Sequence, residues 1–165
     1  MRYDEANAVQ RSMIRFAGTR AGSWLFARTA HHLDRPVIRL SRGRTSTATI
    51  LLGLPIVELT TTGARSGQPR TLPIIGVPDG DRLVLVASNY GSTRHPAWYH
   101  NLRAHPECLV RFRGEELRMR AYEAEGEERE RLWQLDAAVY PPRVKYAART
   151  QGRRIPVMVL EPARP

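Results

Sequence analysis

Cysteine is almost absent: Cys108 stands alone in 165 residues. One thiol cannot close an intrachain disulfide, and no Cys/His grouping has the spacing of a zinc site. The fold must therefore rest on its core, in a reducing interior. No apolar run approaches the roughly 20 residues of a spanning helix, and no charged-then-apolar leader with a cleavage site opens the chain. A cytoplasmic protein, neither secreted nor membrane-spanning, is the expectation. The Gly-Lys-Ser/Thr ending of a nucleoside-triphosphate loop is missing, and no serine sits in a nucleophile elbow. His31, His32, His95, His100 and His105 form no metal-ligand pairing with cysteine or carboxylate, so no metal is expected. Cys108 falls inside a strand pattern, which predicts packing and not reactivity.

Lysine is nearly missing too. Lys145 is the only one among 26 basic residues, yet the formal charge is +10. An excess of that size suits nucleic acid, an anionic lipid surface or an acidic ligand. Nucleic acid is the weakest of these, because no aromatic platform is interleaved with the arginines. The excess is concentrated early: residues 1–50 hold nine arginines against Asp4, Glu5 and Asp34.

Helical patterning occupies that basic third. Residues 4–17 place Val9, Met13, Phe16 and Ala17 on one face and Arg11 and Arg15 on the other, with Asp4 as the expected cap. Ser23 opens a second short helix through Trp24 towards His32, and Asp34 a third that ends at Gly43. Such basic, apolar-faced helices either dock on a sheet or meet a membrane surface. From Pro55 the period changes to that of strands, expected at Pro55–Thr61, Pro69–Val77, Arg82–Ser88, about Cys108–Arg113, Leu117–Tyr122 and Arg154–Leu160. Leu83–Ala87 is apolar without alternation, so both its faces should be covered. Helices are expected over His95–Ala104 and Gly126–Val139, with a further turn through Tyr146 after Pro141-Pro142. Six antiparallel strands with helices packed over them predict an α+β fold, a small closed or split barrel and not a doubly wound parallel sheet.

One stretch organises the rest: Leu59-Thr-Thr-Thr-Gly-Ala-Arg-Ser-Gly-Gln-Pro-Arg70, a strand end, a polar turn and a second strand. Gly63 and Gly67 can take positive φ and aim backbone N–H groups into one concavity, to which Arg65, Ser66 and Arg70 add charge and a hydroxyl. A guanidinium fork suits phosphate or carboxylate. The same residues also suit an ordinary solvated hairpin loop.

That stretch, followed by Ala87-Ser88-Asn89 and by His95-Pro-Ala-Trp-Tyr-His-Asn-Leu-Arg-Ala-His-Pro106, resembles the deazaflavin-dependent nitroreductase family of actinobacteria. Tyr140-Pro141 and Arg154-Ile-Pro-Val157 are similar to that family as well, and the likeness runs from about Leu59 to Pro162. It implies a split β-barrel of the flavin-reductase type, with residues 1–50 as a basic N-terminal helical extension and 51–165 as the cofactor-binding unit. It also implies coenzyme F420, a deazaflavin with a phospholactyl and oligoglutamate tail, as cofactor. Ala64, Arg65, Ser66 and Arg70 would then face the cofactor, with Thr71, Leu72, Pro73, Ile74 and Ile75 lining it. Val86, Ala87, Ser88 and Asn89 would border the ring, and Ala97, Trp98, Tyr99, His100, Asn101 and Arg143 would complete the pocket. Trp98 and Tyr99 equally fit as core aromatics. Ser88 would donate to the ring, while Tyr140 and Tyr146 would wall the substrate and orient or protonate it. The chain departs from the family at Asn89, often a lysine, at Arg143, where an aromatic can stand, and at Ile75, a tyrosine in well-known members. Those departures favour a quinone, an enone or another activated double bond over bicyclic nitroimidazoles as the electron acceptor. Two alternatives remain: a flavin mononucleotide (FMN)-binding split-barrel oxidoreductase, and a non-enzymatic cofactor carrier or basic protein at the inner face of the cell membrane. The oligomeric state stays open.

Overall fold

A computed structural model describes residues 6–22, 24–25, 49, 53–112 and 114–163. The expected cap Asp4, the expected cap Ser23 and the expected helix from Asp34 to Gly43 lie outside the described residues. Helix α1 spans Ala8–Ala17 and is capped by Asn7, whose side chain accepts from the Gln10 amide at 2.8 Å while Gln10 Oε1 accepts from the Asn7 amide at 3.0 Å. This reciprocal pair satisfies two amides that the helix itself leaves without partners. Its buried face is not the expected one: Ile14 and Ala17 are buried with Met13 beside them, whereas Val9 and Phe16 are 68% and 47% exposed. The C-terminal end of α1 engages the rest of the molecule, where the carbonyls of Ala17 and Gly18 accept from Tyr146 and Arg149.

Among the described residues seven strands follow where six were expected. They are β1 Ile56–Thr62, β2 Pro69–Ile75, β3 Val77–Asp79, β4 Arg82–Val86, β5 Glu107–Phe112, β6 Glu115–Glu123 and β7 Val157–Pro162. All pairs are antiparallel in one sheet ordered β2-β1-β5-β6-β7-β4-β3. The expected strand 69–77 is broken at Gly76, which leaves the ladder and donates its amide to the Pro55 carbonyl at 2.9 Å. The two halves of that segment are the two edges of the sheet, so the chain at Gly76 passes from one edge to the other and curls the sheet closed. A side chain cannot enter there: a Cβ on Gly76 would lie 2.8 Å from Val57 Cγ1 and 3.0 Å from its Cγ2. Pro69, Pro73 and Pro78 all fall on these edge strands, where a missing N–H costs no ladder bond on the open side.

Alternation sorts the core into two layers. Val57, Leu59, Leu83, Leu85, Val110, Met119, Met158 and Leu160 fill the inner face, closed by Trp98, Tyr99 and Leu102 of helix α2, Ala97–Ala104. Val84, Val86, Val157 and Val159 face outward beneath Leu132 and Val139 of α3, Gly126–Val139, and Tyr146 of α4, Pro142–Arg149. Strand β4 is thus covered on both faces, as its unalternating sequence required. Pro142 occupies the first turn of α4, where proline's fixed φ suits a helix start.

Gly76→Val should destabilise the fold by about 1–3 kcal/mol, the usual cost of forcing atoms into a packed site. Urea unfolding checks this. A lowered midpoint at unchanged slope is expected, and an unchanged midpoint would contradict the closure at Gly76.

Candidate functional site

Strand direction alternates across the sheet, so the carboxyl ends of β1, β4 and β6 and the amino ends of β2, β5 and β7 share one end of the barrel. The turn after β1, the loop after β4, helix α2 and the segment after α4 all connect to strands at that end. The opposite end carries tight hairpins at Gly80 and Gly114.

The turn between β1 and β2 is closed on itself. The Gly63 amide donates to the Gln68 carbonyl at 2.9 Å and the Gly67 amide to the Gly63 carbonyl at 2.8 Å, while the Gln68 amide reaches Ser66 Oγ at 3.4 Å. Gly67 has φ 63°, but Gly63 does not share the expected positive φ. Glycine is needed at Gly63 for space, since a Cβ would sit 2.5 Å from Ser66 Oγ. The Ala64 amide donates to Asn101 Oδ1 at 3.0 Å, and Asn101 Nδ2 donates to Thr61 Oγ1 at 3.0 Å, so buried Asn101 pins the turn to α2. These amides are spent inside the protein. The turn offers a ligand its side chains instead: Arg65 and Arg70 are exposed, and neither guanidinium has a hydrogen-bond or ion-pair partner among the described residues. Arg94, also exposed, is in the same state, and its carbonyl holds Asn89 Nδ2 at 3.0 Å.

The run from Arg70 to Ile75 does not line one surface. Arg70, Leu72 and Ile74 share a face with buried Thr61 and Leu59, whereas Thr71 meets Thr60 at 2.8 Å on the outer face and Ile75 packs under the helices. Helix α2 divides likewise. Ala97 and His100 are exposed, while Trp98 and Tyr99 are core aromatics, Tyr99 donating to Glu123 Oε2 at 2.8 Å and accepting from Arg103 at 3.1 Å.

The loop after β4 is held by two arginines. Arg153 donates to the carbonyls of Ser88 at 2.9 Å, Ala87 at 3.3 Å and Ser92 at 2.9 and 3.0 Å, and to His95 Nδ1 at 3.0 Å. A guanidinium only donates, so His95 Nδ1 must accept and the ring is neutral. Burial and the Arg153 charge both push the His95 pKa below 6.5. So held, the loop keeps Asn89 and Tyr90 at φ 47° and 56°, a left-handed conformation that costs a non-glycine residue on the order of 1 kcal/mol. Gly91 then packs against the Tyr146 backbone, where a Cβ would lie 3.0 Å from the Tyr146 carbonyl oxygen.

Arg143 holds the other side of the loop. It donates from Nη1 to Ser88 Oγ at 2.8 Å and from Nε to Asp136 Oδ2 at 2.7 Å, with Nη2 3.4 Å from Asp136 Oδ1. Burial pushes the Asp136 carboxyl up and Arg143 pulls it partly back; burial opposes the Arg143 charge, but Asp136 together with Tyr140 and Tyr146 outweighs it. Asp136 and Arg153 were not anticipated. Asp136 had a signal, for it interrupts the buried stripe Leu132, Asp136, Val139 of α3, and a lone carboxylate on an apolar stripe demands a cation. Arg153 donates mainly to carbonyls of a distant loop and had none.

Tyr140 and Tyr146 come together, hydroxyl to hydroxyl, at 3.1 Å. Tyr146 donates its one proton to the Ala17 carbonyl of α1 at 2.9 Å, so Tyr140 is the donor within the pair. Both phenol protons are committed, and burial raises the Tyr140 pKa well above 10. Tyr90, 40% exposed, stands edge-on to Tyr146 at 6.1 Å. Cys108 is buried and its thiol is pushed up to about 12 by burial, which leaves it unreactive. Among the described residues no helix is long and apolar enough to cross a membrane.

The family model for F420H(2)-dependent quinone reductases matches residues 33–162. The chain belongs to that family. An F420H(2)-dependent quinone reductase of Mycobacterium tuberculosis strain H37Rv is 38% identical over 112 residues, covering 64% of this chain and 72% of the relative. The solved structure of an F420-H2 dependent reductase is 42% identical with a TM-score of 0.61, covering 65% of this chain and 94% of that one. A second structure, described as a domain-swapped dimer, is 38% identical with a TM-score of 0.63 and covers 77% and 95%. This member of the quinone reductase family is therefore a split-barrel oxidoreductase, and its cofactor is coenzyme F420.

Because His95 binds its proton less tightly folded than unfolded, its bond to Arg153 stabilises the protein fully above about pH 6.5 and less as pH falls. The stability difference between the wild type and His95→Gln should therefore shrink between about pH 7 and pH 5. Chemical unfolding across that range checks it, and a pH-independent difference would contradict the neutral His95.

Proposed function

We propose that this reductase passes a hydride from reduced F420 to a quinone-type acceptor at the end of the barrel where β1 and β4 finish. The observation that carries this reading is a division among the arginines. Arg143 and Arg153 turn inward to fix Ser88, whereas Arg65, Arg70 and Arg94 stand exposed with no partner among the described residues. A ligand with a compact ring and a long polyanionic tail fits that donor set. A single phosphate, as in FMN, would leave part of it unused.

Bound F420 supplies the hydride chemistry, and the protein supplies position, exclusion of water and charge. Arg65 and Arg70 hold the tail by charge-assisted hydrogen bonds, and Asn101 keeps their turn in place. Ser88, 3% exposed, presents its hydroxyl to the ring, and Tyr90 caps the acceptor side above Tyr140 and Tyr146. With both phenol protons engaged, these tyrosines act as a wall and an orienting dipole, not as the proton source. The proton that completes quinone reduction comes from solvent at the exposed Tyr90 edge. Quinones suit this arrangement because their reduction places charge on oxygen, where a hydroxyl donor stabilises it.

Reduced F420 should be oxidised faster by naphthoquinones and benzoquinones than by enones, and least by bicyclic nitroimidazoles, in a steady-state absorbance assay. A nitroimidazole rate above every quinone rate would overturn the acceptor assignment. Arg65→Ala with Arg70→Ala should weaken F420 binding by several kcal/mol at most, since each charged hydrogen bond contributes roughly 1.5–3 kcal/mol. Binding of the tail-less deazaflavin chromophore should be untouched. Equal losses for both ligands, in a fluorescence titration, would remove the arginines from tail recognition.

A further inference from the structure

Ser88 is buried and its oxygen is already engaged, yet its proton is not. The Arg143 guanidinium has no acceptor, so across the 2.8 Å contact the hydrogen belongs to Nη1 and Ser88 Oγ is the acceptor. The Ser88 amide donates to the Val86 carbonyl at 2.9 Å, and its carbonyl accepts from Gly91 at 3.0 Å and from Arg153 at 2.9 Å. None of these takes the hydroxyl proton, and no acceptor for it exists among the described residues. A hydroxyl 3% exposed with an idle proton is costly unless something else receives it.

The direction is imposed from two residues away. Asp136 is fully buried and binds Arg143 through Nε and Nη2, which fixes the guanidinium plane and leaves Nη1 for Ser88. The Tyr140 ring lies 5.2 Å beneath the same guanidinium and restrains it from one side. Because the Arg143 guanidinium is shielded from water, its N–H bond polarises Ser88 O–H more than a surface arginine would.

We infer that Asp136 and Arg143 are positioning residues that occupy one lone pair of Ser88 and so direct its hydroxyl proton towards an sp² oxygen of a bound ligand. This rests on the reading above that F420 and a quinone meet beside Ser88. Either molecule carries such an oxygen, and the two sources separate experimentally. The pair does not touch the reacting atoms. With one Ser88 lone pair already taken by Arg143, the hydroxyl proton is the group left to serve a ligand, so an acceptor in that place is favoured over a donor.

The test uses the full chain and four variants: Ser88→Ala, the neutral pair Asp136→Asn with Arg143→Gln, the triple combination of these, and Arg143→Lys. F420 affinity is read by fluorescence, quinone kinetics by KM and kcat separately, and folding by thermal melting. Both Ser88→Ala and the neutral pair should raise the F420 dissociation constant about five- to tenfold, the net contribution of one hydrogen bond that the first variant removes and the second misdirects. The triple variant should bind no worse than Ser88→Ala alone, because the pair acts through that hydroxyl. If F420 affinity holds but the quinone KM rises in both, with the same non-additivity, the oxygen is the acceptor's and the inference stands. Multiplicative losses in the triple variant, or no loss in the neutral pair, would overturn it. Should the neutral pair fail to fold, Arg143→Lys replaces it: the shorter ammonium keeps Asp136 company without reaching Ser88, and wild-type affinities there would also overturn the inference. A wild type that does not bind F420 defeats the underlying reading and this inference with it, whereas wild-type binding that Ser88→Ala and Arg143→Lys leave intact for both ligands defeats the inference alone.

Discussion

The buried pair of Asp136 and Arg143 is the interaction on which the site depends. Taking both charges out of water is expensive, and breaking such a pair by removing one partner typically costs about 3–5 kcal/mol. The molecule tolerates that cost where α3, α4 and the end of β4 meet. The consecutive helices α3 and α4 are thereby joined at one guanidinium to the end of β4, 55 positions away. Arg153 makes a second junction from the segment before β7, and the loop carrying Ser88 is held from both sides. The left-handed backbone at Asn89 and Tyr90 is a consequence, since a loop this heavily bonded can keep a conformation that it would leave if free.

The same economy explains the basic composition. Arginine outnumbers lysine throughout, and the fold uses it for two purposes that lysine serves poorly. Inward arginines spread several donors over carbonyls and a carboxylate in a fixed plane. Outward arginines at the turn after β1 have no partner among the described residues and give the barrel end a positive face. Elsewhere some positive charges are paired, as where Arg82 and Arg131 meet Asp79 and hold its carboxyl at about 2 through Arg131 first.

Local pattern made most of the fold legible. Alternation located the strands of β5 and β6, and the unalternating Leu83–Ala87 announced a strand covered on both faces. The break at Gly76 was not legible, because its cause is the approach of Val57 from another strand. The exposed Val9 and Phe16 were misplaced for a related reason: an amphipathic pattern says which residues can share a face, not how much of the face meets a neighbour. At the site, the turn at Arg65 and Arg70 and the serine at Ser88 were visible as motifs. Their supports were not, since Arg143 reaches Ser88 across 55 positions and Arg153 across 65. Asp136 was the exception that a closer reading of the α3 stripe would have caught.

A crystal structure of the chain with oxidised F420 tests the central claim most directly. The account predicts the deazaflavin ring with an oxygen on Ser88 Oγ, and the tail running over the turn with its phosphate or carboxylates on Arg65 and Arg70. A ring bound away from Ser88, or a tail directed away from that turn, would contradict it.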